Sequence, residues 1–400
     1  MEPSESSTEL ILCPWQREGD YITVSGQVTD PAGKIHTLWF RVPARMESTL
    51  TASADPFAIG FLFPCMHWGR PVHIRGTASP SLLANLELLS QVWHQRQPHL
   101  YQPILFFADE EQEPTRINSG DDGIACFSGG VDSCYTFWRH HQRLIGRRSL
   151  ALQAGVIVHG FSDLPLDQPK AFQEASQHCK RMLDSVGVDT IAMATNAARD
   201  LPMPGRHTWS LAHGTTIGAI LHLLSGRFHH GLIANSYPYT EIDNYYGTSP
   251  MTDHLMSSRS MEIQDDGGET TRTQKLAAIA KWPEAMANLR VCNKGTDGGN
   301  CCECEKCLRT ILALRLHQET LPACFAKAVT DRQIGRVQIR YPNYFFLWQG
   351  IKNEAIAKGL GKAGWVRAID TAIRRGRVRL ARKRLLFLIR NLFVRNNKTK

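Results

Sequence analysis

Four cysteines in the C-terminal third, Cys292, Cys301, Cys304 and Cys307, are spaced C-x8-C-x2-C-x2-C. Thiolates this close together suit a tetrahedral Zn²⁺. Four sulfurs leave no coordination position open, so such a zinc is expected to be structural and to pin the loop from Arg290 to Lys306. A reactive or redox cysteine pair is the competing reading. Cys302 lies among the four but breaks the two-residue spacing and is left out of the ligand set. A second signal stands upstream, Ser128-Gly129-Gly130-Val131-Asp132-Ser133, directly after the apolar run Ile124 to Phe127.

The chemistry of that second segment is anion binding. Adjacent glycines let the backbone turn sharply and aim several N–H groups at one point. A following helix adds the positive end of its dipole, and the two serine hydroxyls add donors. Asp132 repels phosphate, so its expected role is to hold Mg²⁺ or to orient the loop. The lysine of a Walker loop is absent, which argues against a P-loop kinase or GTPase. An ordinary Ser/Gly turn ahead of a helix is the bland alternative. Cys126 and Cys134 flank the loop and read as small buried residues.

The elements that must position these residues follow from the pattern. From Gly123 onward, candidate strands Gly123–Phe127, Ala154–His159, Asp189–Ala194 and Gly231–Asn235 alternate with candidate helices Asp132–Gln142, Gln168–Val186 and Thr208–Ser225. Such alternation predicts an α/β fold, a twisted parallel sheet with helices on both faces, and ligands at the carboxyl ends of its strands. Ahead of it, residues 20–107 read as a small α+β unit. They carry a hairpin across Asp30-Pro31-Ala32-Gly33, strands at Pro71 to Gly76 and Ile104 to Phe107, and a helix over Ser81 to Gln95. The polar stretch Ala108 to Asp122 reads as a linker. The expected domains are therefore 1–115, 116–320, and a helical extension with a basic tail over 321–400.

Composition bounds the rest. The chain of 400 residues is 42% hydrophobic, and no apolar run approaches the length of a membrane span. Its acidic, polar N-terminus is unlike a signal peptide. Five of its eleven cysteines lie between Cys292 and Cys307, which favours a metal site in a reducing cytoplasm over a disulfide framework. Residues 362–400 hold 13 Lys or Arg against the single acid Asp370, so this tail carries +12 while the net charge is +9 and the remainder stands at −3.

The motif Ser-Gly-Gly-x-Asp-Ser resembles the signature of the N-type ATP pyrophosphatases, the PP-loop enzymes. The cysteine spacing looks like the zinc site of the 7-cyano-7-deazaguanine synthases within that superfamily, down to the basic helix start Cys307-Leu308-Arg309. The resemblance covers about 123–315. It implies a PP-loop, Rossmann-type fold, cleavage of ATP between its α and β phosphates, and Ser128 to Ser133 gripping the departing pyrophosphate. It also implies Mg²⁺ beside ATP and structural Zn²⁺. Pro204-Gly205-Arg206 resembles a tripeptide ahead of a synthase helix, which would bring Arg206 to the nucleotide or substrate; a surface turn is the alternative. Thr271-Arg272 matches a Ser/Thr-Lys pair that opens a helix in many PP-loop enzymes, so Arg272 is expected at phosphate oxygens, with Lys275 as a fallback. The chain departs from the synthases in the substrate region. Where they carry Gly-Tyr-Pro-Asp-Cys-Arg, it has Ser236-Tyr237-Pro238-Tyr239-Thr240-Glu241. Glu241 and Asp253 are carboxylates for a purine-like edge or an amine, or else solvated loop acids.

The expected function is an ATP-dependent ligase that adenylates a 7-carboxy-7-deazaguanine-like acid and couples it to an amine. Ammonia would give an amide or nitrile, and an amino group of a partner protein is the other acceptor. Synthase-like proteins with extra domains also occur in antiviral gene clusters, so a defence role belongs to this expectation. One rival is a tRNA-modifying PP-loop thiolase or ligase whose tail, including Arg374, Arg375, Arg377, Arg379, Arg382, Lys383 and Arg384, binds RNA. Another is an amphipathic tail, Leu385 to Phe393, that meets an anionic surface or docks on a protein. Oligomeric state stays open.

Overall fold

The computed structural model describes residues 7–114, 122–205, 208–241, 246–292, 299–317 and 320–396. The chain divides into two compact units. The first takes in Met1–Arg290 with Thr296–Gly298, and the second Val291–Gly295 with Gly299–Lys400.

The first unit is built on one large, mostly parallel α/β sheet. Its strands, in chain order, are β1 (Thr8–Leu12), β2 (Gln16–Glu18), β3 (Tyr21–Thr29), β4 (Ile35–Pro43), β5 (Val72–Ala78), β6 (Phe106–Glu111), β7 (Asp122–Cys126), β8 (Ala151–His159), β9 (Asp189–Thr195), β10 (His230–Ala234) and β11 (Glu262–Asp266). Across the sheet they run β11-β10-β7-β8-β9-β4-β3-β1-β5-β6, with β2 paired to β3. The first five of that path are mutually parallel. Numbered by their own chain order they stand 5-4-1-2-3. This is the doubly wound arrangement, whose direction of winding reverses between β7 and β10.

Both faces of these strands are buried. Ile124, Val156, Ile191 and Ile233 belong to a core shared with the N-terminal helices α1 (Asp55–Gly60), α2 (Leu62–Trp68) and α3 (Pro80–Arg96). On the opposite face Phe127 packs edge-on to Phe137 of α4 (Val131–His141), with ring centroids 5.0 Å apart. Gly155 of β8 there faces Leu183 of α5 (Pro169–Asp184). The short α6 (Ala197–Asp200) follows β9, and α7 (Trp209–Leu223) leads back to β10. After β11 come α8 (Arg272–Ile279) and α9 (Pro283–Asn288). Trp138 of α4 stacks on Trp282 at 5.4 Å, and the Trp282 indole N–H donates to Ser185 Oγ at 2.9 Å.

The N-terminal strands and the parallel strands form one continuous sheet. The seam is β4 against β9, antiparallel, with Phe40 opposite Thr195 and Arg41 opposite Ala194. Buried Asn196 extends the ladder with its side chain. Its Oδ1 accepts from the Trp39 N–H at 2.9 Å, and its Nδ2 donates to the Thr37 carbonyl at 2.8 Å. The sequence boundary expected near residue 115 therefore falls inside one compact unit. The expected linker from Ala108 is corrected in part, because β6 continues through Ala108-Asp109-Glu110-Glu111. That strand pairs with β5 alone. Charged residues are what an edge strand uses to discourage pairing with another chain, and they disguise it as a linker.

The second unit is helical: α10 (Glu305–Leu314), α11 (Asp331–Arg336), α12 (Pro342–Ala357) and α13 (Gly364–Asn396). Trp348 of α12 is fully buried and donates to Glu305 Oε1 at 2.7 Å. Among the described residues no helix is long and apolar enough to cross a membrane.

Candidate functional site

The loop from Ser128 to Ser133 leaves the carboxyl end of β7 and opens α4, beside the strand pair where the winding reverses. Gly129 adopts φ +70°, a conformation that L side chains rarely take. A Cβ there would also meet Cys179 Sγ and Met182 Cε, each at 3.2 Å. Two independent constraints thus require glycine. Ser128 Oγ lies 3.3 Å from Ser133 Oγ and accepts from the Gly130 N–H at 3.3 Å. Ser133 is buried and donates to the Gly130 carbonyl at 3.2 Å.

Two cations face the loop from the first turns of α8. Thr271 caps that helix in a reciprocal box with Gln274, which fixes where Arg272 and Lys275 emerge. Arg272 Nη1 donates to Asp132 Oδ2 at 2.6 Å, and Lys275 Nζ stands 3.4 Å from Asp132 Oδ1. Lys275 is buried and also donates to the Asn235 carbonyl at 2.5 Å, at the end of β10. Burial pushes the Asp132 carboxyl up, but the charges of Arg272 and Lys275 outweigh it and hold the group below its ordinary range. Both Asp132 oxygens are engaged by these two cations. The Arg272 Nε is buried without a partner among the described residues. An anion in the nest would supply one.

A further arginine escaped the sequence reading as a loop residue. The Arg290 N–H donates to the Gly129 carbonyl at 2.8 Å, and its guanidinium binds Asp163, in the loop after β8, at 2.8 Å. Its chemistry was hidden because a lone arginine near a cysteine cluster carries no motif. Asp266, at the end of β11, was missed as well. It accepts from Thr136 Oγ1 at 2.6 Å and pairs with Arg139 at 3.3 Å and His140 at 3.0 Å, which ties α4 to the sheet.

Beside this network the ends of β10 and β11 carry Asn235 and Asp265, joined by an Nδ2–Oδ2 hydrogen bond of 2.5 Å. Burial pushes Asp265 up to about 7, against the lowering effect of Asn235, and its Oδ1 has no hydrogen-bond partner among the described residues. Asp253, named in the sequence as a substrate carboxylate, is buried. It accepts from the Ser249 N–H at 2.8 Å and is likewise held well above the usual carboxylate range by burial. It is not a solvated loop acid. Arg206 and residues 242–245 lie outside the described residues.

These raised carboxyls make a pH prediction. Between 3.8 and about 7 the folded chain holds a proton on Asp265 that the unfolded chain has released. The contribution of Asp265 to stability must then fall as pH rises through that window. Asp253 acts in the same direction, whereas Asp132 and Asp266, held low, matter only below their unfolded value of 3.8. His213, held down to about 4 by burial, and His159 and His222, also lowered by burial, work in the opposite sense over the same window. The readout is therefore the variant against the parent: from pH 4.5 to 7.5 the denaturant midpoint of Asp265→Asn should fall less, or rise more, with pH. An unchanged slope in the variant would contradict this assignment.

In the second unit the sulfurs of Cys292, Cys301, Cys304 and Cys307 all lie within 4.8 Å of one another. Cys292–Cys304 is 3.8 Å and Cys301–Cys307 is 4.0 Å. Zn–S bonds of about 2.3 Å in a tetrahedron place sulfurs about 3.8 Å apart, so the four fit that ion. The Cys304 N–H also donates to Cys301 Sγ at 3.3 Å. A hydrogen bond from Cys307 pulls the Cys304 thiol down to about 5, while the same bond pushes Cys307 up. Thiols this close ionise together only around a cation. Cys302 is turned away, with its Sγ 3.6 Å from the Asn300 carbonyl, and its backbone adopts φ +56°. None of the eleven cysteines is held in a disulfide.

Comparison with known proteins adds no identification: no family model, no curated protein and no solved structure matches this chain.

Proposed function

We propose that this chain is an ATP-dependent ligase of the PP-loop type, which adenylates a 7-carboxy-7-deazaguanine-like acid and couples it to an amine. The observation that supports this reading is the glycine turn of Ser128 to Ser133 at a winding reversal, faced by an arginine whose buried Nε–H has no partner among the described residues. In this reading the loop N–H groups, Ser128, Ser133 and Arg272 receive the β and γ phosphates. A substrate carboxylate oxygen attacks the α phosphorus. The bond to the bridging oxygen breaks, and pyrophosphate leaves with the negative charge that the nest and Arg272 neutralise. An amine then attacks the acyl adenylate, AMP departs, and the amine proton passes to solvent. Magnesium would arrive with the phosphates of ATP, since the Asp132 oxygens are engaged by Arg272 and Lys275. Zinc at the four cysteines, with every position filled, would brace its own unit and take no part in the reaction.

Lys275 serves this reading by fixing Asp132 and the end of β10 together. Arg206 keeps its role only through the family resemblance. A sulfur-transfer version of the RNA-modifying alternative is disfavoured, because burial pushes the Cys126 and Cys179 thiols up to about 12. Neither is a ready thiolate. Incubation with ATP, 7-carboxy-7-deazaguanine and ammonia should release AMP and pyrophosphate in equal amounts. Turnover that responds only to a different carboxylic acid would reject the proposed substrate, and no turnover with any acid would reject the ligase.

A further inference from the structure

The second unit holds a cavity of about 540 Å³ that the ligase reading does not use. Its walls include Lys306, Arg332, Arg336, Arg340, Tyr341 and Tyr344. A smaller cavity of about 280 Å³ shares Arg340 and continues to Arg379 and Lys383 of α13. Among the described residues, Arg332, Arg336, Arg340, Arg379 and Lys383 make no ion pair with a carboxylate, and all five are exposed. Two acids, Glu303 and Glu305, also line the larger cavity. Glu305 is already engaged by Arg309 at 2.8 Å and by the Trp348 indole at 2.7 Å, which leaves Glu303 against Arg332, Arg336 and Arg340.

This arrangement works against stability. Arg332 and Arg336 stand four apart on α11, and Arg379 and Lys383 four apart on α13, spacings at which like charges repel. Arginines concentrated in a concave wall fit an anion whose oxygens they can grip in pairs. Tyr341 adds a second kind of contact. It is 50% exposed, and its ring lies 5.3 Å from that of Tyr344, edge to face, while Tyr344 carries the Arg309 guanidinium over its ring at 5.5 Å. An aromatic face presented among unpaired cations suits a chain that alternates flat rings with phosphates.

We infer that this cleft binds single-stranded nucleic acid, with bases stacked on Tyr341 and backbone phosphates on Arg332, Arg336 and Arg340, continuing to Arg379 and Lys383. A concave cleft does not lie flat on a bilayer, and an acidic peptide has no use for the exposed ring. The inference is independent of the adenylation chemistry and is tested without it.

The test is fluorescence anisotropy of a labelled single-stranded 12-mer, with the full chain titrated at several salt concentrations. Arg336→Glu with Arg340→Glu, leaving α13 intact, should weaken binding at least about tenfold. It should also flatten the plot of log affinity against log salt by about 1.4, two contacts at roughly 0.7 each. Tyr341→Ala should weaken binding about tenfold, and Tyr341→Phe should restore it. Because these side chains are exposed, melting temperature and bound zinc should match the parent chain and exclude misfolding as the cause. Affinity unmoved by the double arginine variant would assign all binding to the α13 tail and overturn the cleft. Unchanged binding in Tyr341→Ala, with inorganic polyphosphate displacing the oligomer at equal charge, would overturn the stacking and with it the choice of nucleic acid. Binding of phosphatidylserine vesicles through Arg336 and Arg340, without binding of the oligomer, would overturn it too.

Discussion

Asp132→Asn should lower pyrophosphate release from ATP by about 10² to 10³ and also destabilise the first unit by about 3 kcal/mol. The two effects have different sources. The loss of rate follows from Arg272, whose guanidinium is aimed by its 2.6 Å bond to Asp132 and would swing away from the loop of Ser128 to Ser133 where the proposed reaction places the phosphates. The loss of stability follows from Lys275, whose side chain is only 2% exposed. Without the carboxylate its ammonium keeps the Asn235 carbonyl and the face of the Tyr135 ring, 5.9 Å away, but no countercharge, and a buried charge left short of compensation is costly. The double variant Asp132→Asn with Lys275→Met separates them. It should recover most of the stability, because charge and countercharge leave together, and none of the activity. Thermal melts and single-turnover release of pyrophosphate read the two quantities side by side. Recovery of both in the double variant would mean that Asp132 does nothing beyond neutralising Lys275.

Removal of one sulfur from the cluster should have the largest structural effect in the second unit. Cys304→Ser should abolish stoichiometric zinc and unfold the start of α10, where Cys304 is the cap and Cys307 lies in the first turn. Structural zinc contributes on the order of 10 kcal/mol or more to small folded units, far beyond what a helix cap supplies. Cys302→Gly should do the opposite. Its sulfur points at the Asn300 carbonyl, and glycine relieves a left-handed backbone at about 1 kcal/mol. Zinc content by atomic absorption, together with helicity with and without chelator, checks both variants. Loss of metal in Cys302→Gly together with its retention in Cys304→Ser would mean that the ligand set has been misassigned.

How much of this was legible beforehand depends on how a residue advertises itself. The nest announced itself because a strand, paired glycines and a helix start come in one run, and the four parallel strands β7 to β10 appeared within a few residues of their expected bounds. The cysteines were readable because thiolate spacing is itself the signal. β11 was not, since Glu262-Ile263-Gln264-Asp265-Asp266 holds one apolar residue and lies at the sheet's edge. The helices α1 and α2 were silent for the contrary reason. Their residues are apolar on nearly every side and buried except at His67 and Trp68 at the end of α2, so no periodicity shows. Asp266 and Arg290 carry the site through tertiary pairing alone, which no local pattern encodes. Asp132 was found, but its engagement with two cations depends on α8, far along the chain.

The antiparallel seam between β4 and β9 sets an order on biogenesis. Phe40 is synthesised long before its ladder partner Thr195 leaves the ribosome. Until then the nascent chain displays β4, a long hydrophobic strand with one rim of backbone amides open to any neighbour. The vectorial interval between those two strands is therefore where a chaperone would be needed most, and where translation at high polysome density would produce intermolecular strand exchange.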